Sequence, residues 1–211
     1  LVSPPKMVVP EFSAALESAL EAGDVAAFQL RLKNASDAEI RDAVKTLMPI
    51  AHHYGTAFML NDRVDLAMEL NVDGVHLGQE DMPLAEARKK LGDTKAIGIS
   101  CHDSTHLAME AGEGGADYVA FGAFYATKSK EPAQLAKYGT PTKEILENWY
   151  EVAIVPSVAI GGLTPGNAVE LVTAGADFIA AITAIWEHPQ GPAQAVKDFN
   201  EAIKIGLSKR A

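Results

Sequence analysis

The chain predicts a closed parallel (β/α)8 barrel, the TIM-barrel class, occupying residues 1–211 as a single domain. Three observations predict it. About eight short, continuously apolar runs alternate with about eight stretches of helical spacing, the pattern of strands buried on both faces. A small-residue turn with an Asp before an apolar run recurs at 72–75 (VDGV), 116–119 (ADYV) and 176–179 (ADFI), so one helix-to-strand connection is used three times. No G-x-G-x-x-G follows the first strand, which disfavours the open doubly wound sheet, the main alternative.

The elements follow in order. Residues 1–5 read as the tail of a first strand stopped by Pro4 and Pro5, and a start at Leu1 rather than Met suggests that the opening is trimmed. Phe12, Leu16 and Leu20 give a helix over 12–22 that stops at Gly23. Residues 25–31 form a buried strand, after which Gln29, Arg31 and Lys33 share one side if the chain stays extended. Ser36 and Glu39 make a capping box for a helix to about Tyr54, which Pro49 should kink or divide.

Residues 57–60 and 75–77 are strands joined by a helix over 64–70. That βαβ crossover makes the two strands parallel neighbours, about 4.8 Å apart, and brings Asp62 and Asp81 to the same end of the sheet. Further helices are expected at 83–91, 104–112, 142–150, from Pro165 to Gly175, and at 193–205. Strands are expected at 96–100, 118–121, 154–160 and 178–181. The long connection 122–141 is of the length that usually serves function.

Composition narrows the function. The 211 residues are 48% hydrophobic and 22% charged, enough for a substantial core, and the formal net charge of -10 disfavours broad nucleic-acid or anionic-membrane binding. Cys101 has no partner cysteine in the chain, which suits a reducing cytoplasm. No apolar run reaches membrane-spanning length and no signal peptide is visible. Small-molecule substrates are the expected partners, and a homo-oligomer is compatible with the composition.

In a barrel of this class the site forms on the C-terminal strand ends. Those ends hold Gln29, Arg31, Lys33, Asn61, Asp62, His76, Gln79, Asp81, Ser100, Thr127, Lys128, Ser129, Lys130, Gly161, Gly162, Ile182 and Thr183. Two carboxylates on one rim suit a hard cation such as Mg²⁺ that also holds a phosphorylated substrate. Facing cations would share a diphosphate's charge, while Gly161-Gly162 and the turn after the last strand suit a phosphate monoester. Taken singly, each has a plainer reading: Asp62 and Asp81 as helix caps, Arg31 and Lys33 as surface residues, His76 as a core histidine, the glycines as a turn. Their joint placement on one rim favours joining two phosphorylated small molecules.

The motifs QLRLK (29–33), LND (60–62), GVHLGQED (74–81), GIS (98–100), FG followed by TKSK (121–130), AIGG (159–162) and AITAI (181–185) resemble, in order, the motif series of thiamine phosphate synthases. The resemblance implies joining of hydroxymethylpyrimidine diphosphate and a thiazole phosphate, with release of diphosphate. It implies that Gln29, Leu30, Arg31, Leu32, Lys33, Asn61, Ser100 and Lys130 bind the pyrimidine diphosphate, with His76 beside the ring. Asp62 and Asp81 would hold Mg²⁺. Thr127, Ser129, Gly162, Ile182 and Thr183 would surround the thiazole phosphate, and Lys128 is a further substrate-binding candidate, with the family register favouring Lys130 over it at the diphosphate. Arg31, Lys33, Ser100 and Lys130 are the expected catalytic groups. Three positions depart from the family pattern: Ala126 for Pro or Gly, Ser129 for Thr, and Thr183 for Ser. The resembling alternatives are a thiazole tautomerase-like enzyme, which lacks the full diphosphate and metal set, and a barrel that binds thiamine intermediates without turnover.

Overall fold

A computed structural model describes residues 1–127 and 137–210. Seven parallel strands pair in sequence order: β1 (Ala27–Leu30), β2 (Ala57–Asn61), β3 (Gly74–Leu77), β4 (Ala96–His102), β5 (Tyr118–Phe121), β6 (Ser157–Ile160) and β7 (Phe178–Ala180). The helices are α1 (Val9–Glu21), α2 (Asp37–His53), α3 (Val64–Leu70), α4 (Leu84–Leu91), α5 (Thr105–Glu113), α6 (Glu144–Val152), α7 (Pro165–Thr173), α8 (Thr183–Trp186) and α9 (Pro192–Lys209). Every strand therefore ends at the same rim.

The pleat divides each strand. On β1, Phe28 and Leu30 are fully buried, while Ala27 and Gln29 face the interior cavity. Phe28, Phe58 and Phe121, all fully buried, belong to the core between the outer face of the sheet and the helices. That layer carries the hydrophobic stabilisation and leaves the inner face free for polar residues.

The recurring Asp makes the same bond at each of its three places. Asp73 Oδ2 accepts from Phe58 N at 2.6 Å, Asp117 Oδ2 from Ile97 N at 2.7 Å, and Asp177 Oδ2 from Ser157 N at 2.8 Å. Each carboxylate thus satisfies an amide near the start of the strand before its own, fixing the parallel register from below. Asn61 is consequently level with His76, and Ile160 with Ala180.

Residues 1–3 are held from both sides. Val2 bridges Gln29 in parallel, Ser3 N donates to Gln29 O at 2.9 Å, and Val2 N donates to Ala181 O at 3.3 Å. Trp186 Nε1 donates to Val2 O at 2.7 Å and its ring meets Phe12 edge-on at 4.7 Å. The first expected strand is reduced to that single bridge. Helix α2 has the expected capping box and runs through Pro49 to His53 undivided. The strand expected from residue 154 starts at Ser157, because Pro156 cannot donate to the ladder. Helix α8 escaped the sequence pattern: four residues are too few to show a helical period.

Asp177→Ala should orphan Ser157 N and lower stability by about 1–3 kcal/mol, read as a melting-temperature fall of roughly 2–4 °C per kcal/mol. An unchanged melting temperature would remove the Asp from its pinning role.

Candidate active site at the C-terminal rim

A cavity of about 920 Å³ extends along the inner face of the sheet, from Ala57, Ala96 and Phe178 at the strand starts to Arg31, Asp62 and Asp81 at the rim. Gln29, Lys33, Asn61, His76 and Ser100 line it as well, so the sequence-predicted diphosphate set within the described residues converges. Beyond the end of β1, the Ser3 hydroxyl accepts from Arg31 N at 2.9 Å. That bond keeps the backbone placed so that Gln29, Arg31 and Lys33 all reach the cavity.

Leu30 and Leu32 point elsewhere. Leu30 lies in the core and Leu32 packs against it, and both border a separate cavity of about 80 Å³ with Lys33 and Asp62. Period-two alternation requires this, and leaves only their backbone available to a ligand.

Asp62 sits in the left-handed region at φ +64°, which Asp tolerates better than most side chains. Its amide donates to His76 O at 2.9 Å. The next residue, Arg63, pairs with Asp65 and with Asp37 at the start of α2, tying down the turn. Asp81 is aimed by a local loop: its Oδ2 accepts from Gly78 N at 2.7 Å. The two carboxyls meet. Burial, a hydrogen bond with Asp81 and the repulsion of its charge push Asp62 up to about 6, while Lys33 and Arg31 pull it down. Burial lowers the Arg31 pKa, and the nearby Asp62 raises it.

Among the described residues no group of three or more His, Cys, Asp and Glu is arranged to hold a metal. A confronted pair of hard oxygen donors fits Mg²⁺ nonetheless, because that ion commonly takes one or two carboxylates and completes its shell with water and substrate phosphates. Repulsion that lifts a carboxyl's pKa is the condition a divalent cation would relieve.

The second expected subsite lies on neighbouring loops. Gly161 and Gly162 have φ of +103° and +65°. A Cβ on Gly162 would lie 2.5 Å from Ala126 O, and one on Gly161 would lie 2.4 Å from the Ala123 Cβ. The double glycine therefore lets the loop after β5 pass close over the end of β6. Ile182 caps α8 and Thr183 begins it, just past β7. Thr127 is the last residue described before the long loop's middle. Lys128, Ser129 and Lys130 lie outside the described residues.

Several rim groups were not anticipated. Tyr118 lines the cavity and binds His76. His102 stacks on Tyr138 with ring centroids 3.5 Å apart, and Lys137 pairs with Glu80 at 2.5 Å. Gln79, already expected on this rim, donates from Nε2 to Ser100 O at 2.6 Å. A tyrosine hydroxyl within an otherwise apolar strand was the available signal for the first. The others depend on contacts between loops far apart in sequence.

The family model for thiamine monophosphate synthase matches residues 1–185. A thiamine-phosphate synthase of Rhodospirillum centenum is 52% identical over 204 residues, covering 97% of this chain and 96% of the relative. One from Hyphomonas neptunium is 47% identical over 208 residues, covering 95% of this chain and 90% of the relative. Among solved structures, a thiamine phosphate pyrophosphorylase from Pyrococcus furiosus superposes with a TM-score of 0.83 at 32% identity, over 98% of this chain and 95% of the other. The tautomerase-like and non-catalytic readings draw no support from these relatives.

Asp62 gives a signed expectation. Its folded pKa stands above the unfolded one, so ionising it costs stability as pH rises from about 4 to about 6. Without added metal, Asp62→Asn, which tolerates the same φ, should raise the melting temperature at pH 7 and leave it unchanged near pH 3. A lower melting temperature at pH 7 would contradict the confrontation with Asp81.

Proposed function

The chain belongs to the thiamine monophosphate synthase family, whose members are transferases, and we propose that its rim residues divide the reaction between a diphosphate half and a thiazole half. The single observation that carries this is the convergence of Asp62 and Asp81 with Arg31 and Lys33 at one mouth. Asp62 and Asp81 would hold Mg²⁺, which supplies charge neutralisation to a bound diphosphate. Arg31 and Lys33, with Lys130 by the family register, neutralise the same group. Gln29, Asn61, His76 and Ser100 orient the pyrimidine, and the backbone at Leu30 and Leu32 frames it. Thr127, Ser129, Gly162, Ile182 and Thr183 hold the thiazole phosphate, and Lys128 is a further substrate-binding residue.

The chemistry then follows from charge. As the bond from the pyrimidine methylene to oxygen stretches, electrons leave with the diphosphate, where Arg31, Lys33 and Lys130 stabilise the growing negative charge. The electron-rich aminopyrimidine supports the electron-poor methylene. The thiazole nitrogen donates its lone pair to that carbon and carries no proton, so no general base is needed. What the side chains contribute is orientation and preset electrostatics. Cys101 is not a rival nucleophile: it is fully buried, and burial pushes its thiol up to about 12.

The finer architecture belongs to the same reading. Residues 1–3 act as the eighth stave of a (β/α)8 barrel, supported by their hydrogen bonds to Gln29 and Ala181, and the chain is one domain. The enzyme works on small molecules in the cytoplasm. No helix among the described residues is long and apolar enough to cross a membrane.

Purified protein should release diphosphate only when both substrates and Mg²⁺ are present, and Asp81→Ala should abolish release. Arg31→Ala should lower turnover by roughly a hundredfold or more, the scale of removing one preset charge-stabilising group. Apparent Mg²⁺ affinity should fall about tenfold per pH unit below about pH 6, because a proton then competes for Asp62. Release that ignored Mg²⁺, or survived in Asp81→Ala, would overturn the metal assignment.

A further inference from the structure

The turn between β6 and α7 has two successive carbonyls held from different sides. Tyr125 N, on the loop after β5, donates to Gly161 O at 3.0 Å. Asn167 Nδ2, in the first turn of α7, donates to Gly162 O at 3.2 Å. Both peptide units are trans, so the N–H of each points opposite to its C=O. The Gly162 N–H is therefore turned away from the loop after β5, and the Leu163 N–H away from Asn167. Neither amide donates to another described residue. Two successive amides in a turn, here permitted by Gly162 at φ +65°, are the backbone's means of holding an anion.

Asn167 does more than cap its helix. A capping box needs an oxygen at the third helical position to accept from the N-cap amide, and Glu39 supplies one on α2. On α7 that oxygen is Asn167 Oδ1, which accepts from Thr164 N at 2.8 Å, while Asn167 N donates to Thr164 Oγ1 at 3.4 Å. The side-chain nitrogen is surplus to the cap, and this nitrogen reaches Gly162 O. A carboxylate would close the same box but has no proton to give, and its charge would face the Gly162 carbonyl. It would also set a negative charge beside any anion at the turn.

We infer that Asn167 is a positioning residue, whose side-chain amide fixes the Gly162–Leu163 peptide so that two consecutive backbone N–H groups meet a phosphate monoester. The step rests on the synthase reading above, in which Gly162 holds the thiazole phosphate, and it adds Asn167 and the Leu163 amide to that subsite. Asn167 acts through the turn rather than by touching the phosphate. The opposite half of the clamp is the Tyr125 backbone, so Asn167 is the half that substitution can open.

Inorganic phosphate is the probe. The chain has two Gly-Gly linkages, 114–115 and 161–162. Protein labelled with glycine carrying ¹³C at the carbonyl and ¹⁵N at the amide therefore gives two carbonyl-correlated amide signals. The one that survives Gly114→Ala is Gly162, and it should shift and saturate as phosphate is added. Asn167→Gln keeps the box and the donor, and should bind phosphate within about threefold of the unsubstituted protein. Asn167→Glu keeps the box alone, and Asn167→Leu keeps neither. Both should weaken phosphate about tenfold, the scale of one aligned hydrogen bond. Melting temperatures of the Gln and Glu variants should match the unsubstituted protein, because the cap is intact. In turnover, the Glu variant should raise KM for the thiazole phosphate about tenfold and leave KM for the pyrimidine diphosphate unchanged. A Gly162 signal indifferent to phosphate would overturn the inference. So would a Leu variant that binds like the unsubstituted protein, since charge alone would then account for Glu. Normal diphosphate release with an unraised thiazole phosphate KM in Asn167→Glu would remove the role of Asn167 and leave the synthase reading standing. A phosphate response that weakens in the Glu and Leu variants of a protein that never releases diphosphate would uphold the positioning and remove the synthase reading instead.

Discussion

The structure depends on parallel pairing held in one register. Three carboxylates, at Asp73, Asp117 and Asp177, each satisfy an amide near the start of the strand before their own. A slip of one residue would turn Gln29 and His76 outward and bring Leu30 and Leu77 inward, since the side-chain period is two. The pinned register instead levels Asn61 with His76, and this places Asp62 beside the loop that carries Asp81. The lower rim thus determines what meets at the upper one.

What meets there is unfavourable for the protein alone. Two carboxyls confront each other, one is held in a left-handed turn, and Arg31 is partly desolvated beside them. Such arrangements persist where the surrounding structure enforces them, here through Ser3 on Arg31, Gly78 on Asp81, and the pairing of Arg63 with Asp37 and Asp65. A hard cation with an anionic phosphate ester would relieve the whole set at once. Binding and catalysis then draw on one electrostatic arrangement, already oriented before the substrate arrives.

Most of the fold was legible because it is periodic. Helix α3 and strand β5 have the limits that apolar spacing sets, and the capping box of α2 forms as Ser36 and Glu39 imply. The rim was legible because a βαβ unit leaves no choice about which strand ends share an edge. What escaped has no local pattern. Helix α8 is a single short turn. The floor of the cavity depends on Gly98 lying beneath a tyrosine twenty positions further on, and nothing in either strand alone announces that contact. Leu30 and Leu32 show the opposite fault: a motif string sweeps in every residue between its ends, whereas the pleat admits only alternate side chains.

The most direct test is a crystal soaked with Mn²⁺ and inorganic diphosphate, with the metal located by anomalous scattering. The account expects one strong peak bridged by Asp62 and Asp81, directly or through water, with the diphosphate against Arg31 and Lys33. A metal bound to neither carboxylate, with diphosphate seated at the rim without it, would contradict the account.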